Sequence, residues 1–465
     1  MKYILLSGGS GTGLWPLSNS VRSKQFLQLF QNEEGVLESS IQILWKHLKS
    51  LQLDKQAMFV TNAQQSDLVL TQCESDINIV EEPMQKDTFA AVCLATLYAK
   101  DLEHCADDEW VAILPVDILV EPSFLQAVQK LPDLAMQYDA DIALVGLTPT
   151  YIAPQYGYIE VAPDNAQSNI CTIQQFIEKP SIEMTKQLIH QGALWNSGVY
   201  VFQIKTILQM LRRYALPLQY EQFVAQYDTV DSISFDDAVM EWMQHGIVYH
   251  YRGPWQDIGS WDRLARKLTS EQIGIGVMKG QCENTHILNE LLLPIHVVDV
   301  ENVIVAASYD GILVANKQSS YELNSTVKGD MWPMVEERHW GSSHVLEHID
   351  TVDGKDVLVK HIKIRKGKNL SYQRHQYRSE CWTILEGEGE LIVNNLVRHV
   401  KVGDVIQIEA GQLHAMKALT NLQFIEVQSG RPLLKEDVEH ISLDWDDITN
   451  YIEAVQSEST GRIAK

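Results

Sequence analysis

The residues with the most evident chemistry lie within the first thirty positions of the chain. Gly8, Gly9, Gly11 and Gly13 sit in the run SGGSGTG, straight after the apolar stretch Tyr3-Ile4-Leu5-Leu6, and Lys24 follows in RSKQFL. A glycine-rich turn after a buried strand lets backbone N–H groups close on phosphate oxygens where any Cβ would intrude. A lysine downstream adds a point charge at the reacting phosphorus. Polyphosphate binding is therefore the chemistry these residues suit, with Thr12 inside the same loop. Two other phosphate motifs fit less well. A Walker A loop needs lysine and Ser/Thr directly after its last glycine, and here Leu14-Trp15 follow Gly13. A G-x-G-x-x-G dinucleotide fingerprint would lack its third glycine, although Glu33 and Glu34 suit its acidic position. On these residues alone, a plain turn closing the first βα unit stays open.

Other polar groups stand just past predicted strands, where open α/β sheets bind their ligands. VAILPVD ends in Asp117 and PWQDIGSW contains Asp257; such carboxylates hold Mg²⁺ or merely cap a turn. Glu178 and Lys179 follow an apolar run in FIEKP, a pairing that is commonly only a solvated ion pair. Asn196 opens the turn in LWNSGVYVF, Gly157 lies in YGYI, and Lys86 in EPMQKDTFAAV. Far downstream, GKNLSYQRHQYRSECWTILEG fits G-x5-H-x-H-x4-E-x6-G with Gln373 in the first ligand slot, then His375 and Glu380. GDVIQIEAGQLH adds His414. Strand alternation turns Gln373 and His375 to one face of a barrel, and such a set suits a borderline divalent ion such as Zn²⁺. The alternative is a set of ordinary polar barrel residues.

Positioning these groups requires an α/β unit followed by a β-rich one. Up to about residue 265, apolar strands alternate with helical stretches, which predicts a mostly parallel sheet. Leu37, Ile41, Leu44, Trp45, Leu48 and Leu51 form a helical stripe. Strands are predicted at 57–60, 110–114, 142–147 and 199–202. From about 280 the texture changes to short β runs at 295–300, 303–307 and 312–315, a connector or solenoid turn. After His339-Trp340-Gly341 come β segments with glycine turns, a β-barrel pattern. The expected division is 1–275, 276–335, 336–447 and a loosely ordered tail at 448–465.

With 465 residues, 45% apolar and 21% charged, the chain reads as a soluble protein of two or three domains. Its net charge of −24 argues against nucleic-acid or anionic-membrane partners, though not against a local nucleotide site. No apolar run is long enough for a membrane span, and MKYILLSGG is broken too soon for a signal peptide. Six cysteines without CxxC spacing point to a reduced, cytoplasmic setting.

Together these motifs resemble the mannose-1-phosphate guanylyltransferases, in particular the type II bifunctional branch that carries a mannose-6-phosphate isomerase half. The resemblance rests on Gly8, Gly9, Gly11, Thr12, Leu14 to Ser18 and Lys24 to Phe26, then on the segments around Lys86, Asp117, Gly157, Glu178, Asn196 and Asp257. In the second half it rests on Arg338, Trp340 and Gly341, on Leu370, Ser371, Gln373, His375, Arg378, Glu380 and Trp382, and on EVQSG at 426–430, with His339, Tyr377 and Cys381 departing from the pattern. It implies a nucleotidyltransferase Rossmann-like sheet, a β-rich connector and a C-terminal cupin barrel. It implies Lys24, Asp117 and Asp257 as catalytic residues, with Mg²⁺ on the two aspartates. Gly8, Gly9, Gly11, Thr12, Gly13, Lys24 and Lys86 would bind GTP. Gly157, Glu178, Lys179 and Asn196 would bind mannose-1-phosphate, the products being GDP-mannose and pyrophosphate for polysaccharide synthesis. Gln373, His375, Glu380 and His414 would hold the barrel metal. A homo-oligomer is compatible with all of this. The chain departs from the family pattern at several positions: Gly13 stands where a catalytic arginine is usual, Ser23 where proline is, Lys86-Asp87 for Arg-Asn, and Ile118 for histidine. Another sugar or base, or a non-catalytic regulator that binds sugar phosphates, are the competing readings.

Overall fold

Short apolar runs bounded by turns become the strands of one nine-stranded sheet: β1 (Lys2–Leu6), β2 (Ala57–Asn62), β3 (Asn78–Glu82), β4 (Trp110–Pro115), β5 (Ile142–Leu147), β6 (Tyr158–Val161), β7 (Ile170–Ile177), β8 (Leu194–Gln203) and β9 (Gly246–Tyr251). The computed structural model describes residues 1–9, 11, 13–73, 77–162, 169–240, 245–268, 270–322, 333–350, 356–433 and 437–452. Thr12 and the tail beyond 452 lie outside the described residues. The strand order is β3-β2-β1-β4-β8-β5-β9-β7-β6. Seven of the nine strands point the same way, while β8 and β7 run against their neighbours. In strand direction the sheet is therefore mostly parallel, as its alternation with helices implies, although every pairing made by β8 and β7 is antiparallel.

Both faces of the sheet are covered. Tyr3, Leu5, Phe59, Ala112 and Leu114 enter one apolar cluster, and Ile4, Met58, Val60, Val111 and Ile113 the other. This is the period-two alternation of strands buried on both sides. Helix α1 (Ser40–Ser50) packs Ile41, Leu44, Trp45 and Leu48 onto the first face. Leu37, predicted as the first member of that helical stripe, instead belongs to a two-residue strand. The reason is local. The Ser39 side chain accepts from Gln42 N while the Gln42 side chain reaches back to Ser39, a capping box that fixes the helix start at Ser40, three residues after Leu37.

Register decides what meets at the open edge of the sheet. Leu6 pairs with Val60 on one side and Pro115 on the other, so the chain leaving β1 emerges beside the chain leaving β4. The short strands Ile118–Val120 and Trp255–Asp257 then pair antiparallel, with Asp257 opposite Ile118. A third apolar cluster joins Leu14 and Leu17 of the glycine loop to Ile258, Trp261 and Leu264. Trp261 is fully buried and donates its indole N–H to the Trp15 carbonyl at 3.1 Å.

The chain divides into two compact units, Met1–Asn289 with Leu293–Ala306 and Leu313–Val327, and Glu290–Leu292 with Ala307–Ile312 and Lys328–Lys465. Of the connector strands, Ile295–Val298 falls wholly in the first unit, while Val303–Ser308 and Gly311–Asn316 are each divided between the two. The second unit holds a six-stranded and a five-stranded sheet around Ile362, Trp382, Leu391, Ile406, Met416 and Phe424, the core of a β-barrel. The tail expected from 448 begins later than its polarity suggests. Helical residues 445–452 bury Trp445, Ile448 and Ile452 against Tyr372, Ile392 and Ala415. No helix among the described residues is long and apolar enough to cross a membrane.

Because Trp261 clamps the glycine loop, Trp261→Ala is expected to cost about 3–5 kcal/mol. A urea midpoint within error of the parent would contradict that clamp.

Candidate active site

The glycine loop is held by side chains that take its carbonyl groups. Ser7 O accepts from Gln25 Nε2 and Thr61 Oγ1, both at 3.1 Å; Gly8 O accepts from Gln85 Nε2 at 2.8 Å; Gly9 O accepts from Gln65 Nε2 at 3.1 Å. In a trans peptide the next N–H points opposite to its carbonyl. Turning the Ser7 carbonyl into the protein therefore turns the Gly8 N–H outward. Gly11 takes φ +76°, and a Cβ there would lie 1.8 Å from Asn19 O, so only glycine fits. At Gly13 a Cβ would come within 2.8 Å of Gly259 O. The loop thus leans on the backbone that follows Asp257, and an arginine at position 13 would require that backbone to move.

Beside the loop, two carboxylates and two cations meet. Lys24 Nζ lies 2.6 Å from Asp117 Oδ2, and both side chains are half-buried. Asp257 pairs with Arg263 and accepts from the Tyr156 hydroxyl at 3.1 Å. A Cβ built on Gly259 would stand 2.7 Å from Asp257 Oδ1, 3.2 Å from Lys24 Nζ and 3.4 Å from Arg263 Nη1, so all three surround one point. Asp117 joins them because Ile258 N donates to Asp117 O at 3.2 Å across the short strand pair. Burial alone would lower the Lys24 pKa, but Asp117 and then Asp257 reverse this and hold it above the ordinary lysine value. Burial pushes Asp117 up, yet the Lys24 ammonium beside it prevails and keeps the carboxyl below its ordinary value. Arg22, the other loop cation, is buried and donates to the Leu17 carbonyl at 2.7 Å. It braces the loop from inside.

A cavity of about 570 Å³ opens along Gly8, Gly9, Lys24 and Asp117 and continues past Glu82, Gln85, Asp87 and Thr88. Glu82 is a wall residue that motif reading overlooked. Its Oε2 would be 2.8 Å from a Cβ on Gly8, and its Oε1 accepts from the Tyr227 hydroxyl at 2.9 Å. Burial pushes its pKa up to about 7, against the Tyr227 hydrogen bond and with a smaller push from Asp87. Its signal was the glutamate that opens the segment EPMQKDTFAAV at the end of a strand. Lys86, expected to bind nucleotide, turns away from this wall and donates to the Asp228 carbonyl at 2.7 Å.

On the β6–β8 side, Gly157 leaves room for Glu178, whose Oε2 would be 2.6 Å from a Cβ there. Lys179 Nζ lies 3.1 Å from Glu178 Oε1 and is largely exposed. Asn196 donates to Asp236 Oδ1 at 2.8 Å, and the Tyr200 hydroxyl donates to the same oxygen. Burial raises the pKa of Glu178, with Asp236 adding to it; burial likewise raises that of Asp236. Asp236, in SISFDDAVME, is a second acid that the motifs did not single out.

In the second unit, donor atoms of His375, Glu380 and His414 lie within 4.8 Å of one another, all buried. His375 Nδ1 contacts Asp437 O at 2.6 Å and His414 Nδ1 contacts Gln412 O at 3.0 Å. A carbonyl can only accept, so each Nδ1 carries the proton and each Nε2 presents a lone pair inward. His414 Nε2 is buried with no hydrogen-bond partner among the described residues. Burial pushes the His375 pKa down to about 4, against the pull of Glu380, which keeps the ring neutral. These residues fit a divalent metal. Gln373 lies alongside, its Nε2 3.4 Å from His375 Nε2, but its oxygen accepts from Ser371 Oγ at 2.9 Å. Arg378 bridges Glu380 Oε1 at 3.0 Å and His375 Nε2 at 3.2 Å.

Comparison with known proteins agrees with this division. The mannose-1-phosphate guanylyltransferase RfbM of Salmonella typhimurium is 29% identical over 94% of this chain and 95% of its own. The xanthan biosynthesis protein XanB of Xanthomonas campestris is 29% identical over 94% and 97%. The crystal structure of a protein named as a mannose-1-phosphate geranyltransferase from Thermus thermophilus, 26% identical, aligns with a TM-score of 0.57 over 70% of this chain and 97% of that one. A family model described as mannose-6-phosphate isomerase C-terminal matches residues 331–443. The model described as nucleotidyl transferase matches residues 2–271, more than half the chain and the whole span from the glycine loop to Arg263, and the chain belongs to that family.

Proposed function

We propose that the first unit transfers GMP from GTP to mannose-1-phosphate, giving GDP-mannose and pyrophosphate. The observation that carries this reading is the meeting of Lys24, Asp117 and Asp257 at the edge of the phosphate loop. A sugar-phosphate oxygen attacks the α-phosphorus; the new P–O bond forms as the bond to the pyrophosphate oxygen breaks. The nucleophile is already an anion, so positioning and charge neutralisation replace a general base. Asp117 and Asp257 offer the hard oxygen donors that Mg²⁺ takes, and bound there Mg²⁺ would neutralise phosphate charge. Lys24 faces the charge that develops on the transferred group. Lys179 and Glu178 hold the sugar phosphate, with Asn196 and Asp236 beside them.

Glu82 gives the nucleobase preference a chemical basis. A carboxylate accepts two hydrogen bonds, and guanine offers N1–H and N2–H₂ on one edge. Adenine offers no such pair.

In the second unit, His375, Glu380 and His414 would hold a divalent ion of the Zn²⁺ type, which supplies carbonyl polarisation for isomerising mannose-6-phosphate. Arg378 and Gln373 lie against these ligands.

Pyrophosphate release from GTP plus mannose-1-phosphate, against a panel of other nucleotides and sugar phosphates, tests the transferase. Asp117→Asn or Asp257→Asn is expected to lower kcat on the order of 10²-fold. No release with any pair would sink the reading. Only ionised Glu82 accepts both guanine donors, so KM for GTP is expected to rise as pH falls through about 7. Glu82→Gln should flatten that profile, and an unchanged profile would remove Glu82 from base reading. For the barrel, metal analysis of purified protein should find a stoichiometric ion that His414→Ala loses, together with any mannose-6-phosphate turnover.

A further inference from the structure

Resting on that transferase reading, we propose that Arg263 is the phosphate-binding cation of the site, supplying from a short helix late in the unit the charge that the glycine loop lacks at Gly13. The loop itself cannot carry this cation. Gly13 abuts the Gly259 carbonyl, with 2.8 Å left for a Cβ, and Arg22 is committed to the Leu17 carbonyl. Arg263 stands one helical turn beyond Gly259, in the short helix Trp261–Ala265, and its Nη1 reaches the same point as Lys24 Nζ.

Three contacts aim the guanidinium. Nε donates to Ser260 Oγ at 2.7 Å, Nη1 donates to the Tyr156 hydroxyl at 2.9 Å, and the Tyr156 ring lies 5.2 Å beneath the guanidinium carbon. Nη2 has no hydrogen-bond partner among the described residues. Asp257 engages Nη1 alone, and a guanidinium takes phosphate oxygens as a fork, so phosphates arriving beside Asp257 offer it a two-point partner.

Charge decides the matter. Asp117 and Asp257 carry two negative charges, and Lys24 alone would leave the floor of the site net negative before any polyanion entered. Arg263 brings it to neutrality. A purely structural arginine would satisfy Asp257 equally well, but it would not need to stand beside Lys24 at the edge of the phosphate loop.

Equilibrium binding in metal-free buffer tests this without routing the readout through an ion on Asp257. Three probes are compared: inorganic pyrophosphate, GTP and guanosine. Arg263→Ala is expected to weaken pyrophosphate and GTP on the order of 10²-fold while leaving guanosine unchanged. If Arg263→Ala lowers the melting temperature, Arg263→Gln is read instead, since it keeps a similar reach and removes the charge; the same pattern is expected. Pyrophosphate bound as tightly as by the parent, or pyrophosphate and guanosine weakened alike, would overturn the proposal. Parent protein that binds pyrophosphate through Arg263 yet prefers no nucleotide would sink the guanine reading and leave Arg263 standing. Parent protein that binds no phosphate ligand at all would sink both.

Discussion

The first unit depends on holding two carboxylates close together in a half-buried place. Asp117 and Asp257 come from segments separated by about half of the domain's sequence, and they meet because Ile118 pairs with Asp257 across two three-residue strands. Such a pair repels itself unless each member has a counter-charge. Lys24 and Arg263 supply those charges, and the rest of the architecture can be understood as the means of delivering them. The register of β1 against β4 brings the glycine loop alongside Asp117. The packing of Leu14 and Leu17 on Ile258, Trp261 and Leu264 brings that loop alongside Asp257.

Much of this was legible before any fold was described. Glycines after a buried strand, Asp117 after another and Asp257 in PWQDIGSW each stood where α/β sheets gather ligands, and the alternation of elements indicated the sheet. What was not legible was set by contacts that periodicity does not record. Three-residue strands leave no alternation to read, so the pairing of Ile118 with Asp257 was invisible. Arg263 looks in sequence like any solvent-facing residue of a short helix. Lys86 stood in the right motif, but its ammonium found the Asp228 carbonyl, while Glu82, one of the two glutamates in VEEP, became the buried acid of the cavity wall.

The barrel obeys a different rule. Its histidines are held by backbone carbonyls at Nδ1 rather than by opposite charges, and the carbonyl partners come from Asp437 and Gln412. Spacing located His375, Glu380 and His414, because strand alternation puts residues on a common face wherever the strands happen to pair. It could not fix the direction of an amide, and Gln373 shows why: Ser371, two residues earlier on the same face, competes for its oxygen.

The bond from the Trp261 indole to the Trp15 carbonyl spans 246 positions of sequence. Contacts of such separation form late, since a long loop must close before they repay its entropy. During synthesis, Gln25, Thr61, Gln65 and Gln85 are available early to take the loop's carbonyls, but the loop gains its floor only after residue 263 has emerged. Nucleotide recognition is consequently a property of the finished unit, and a chain stalled short of that helix would have the loop's sequence without its site.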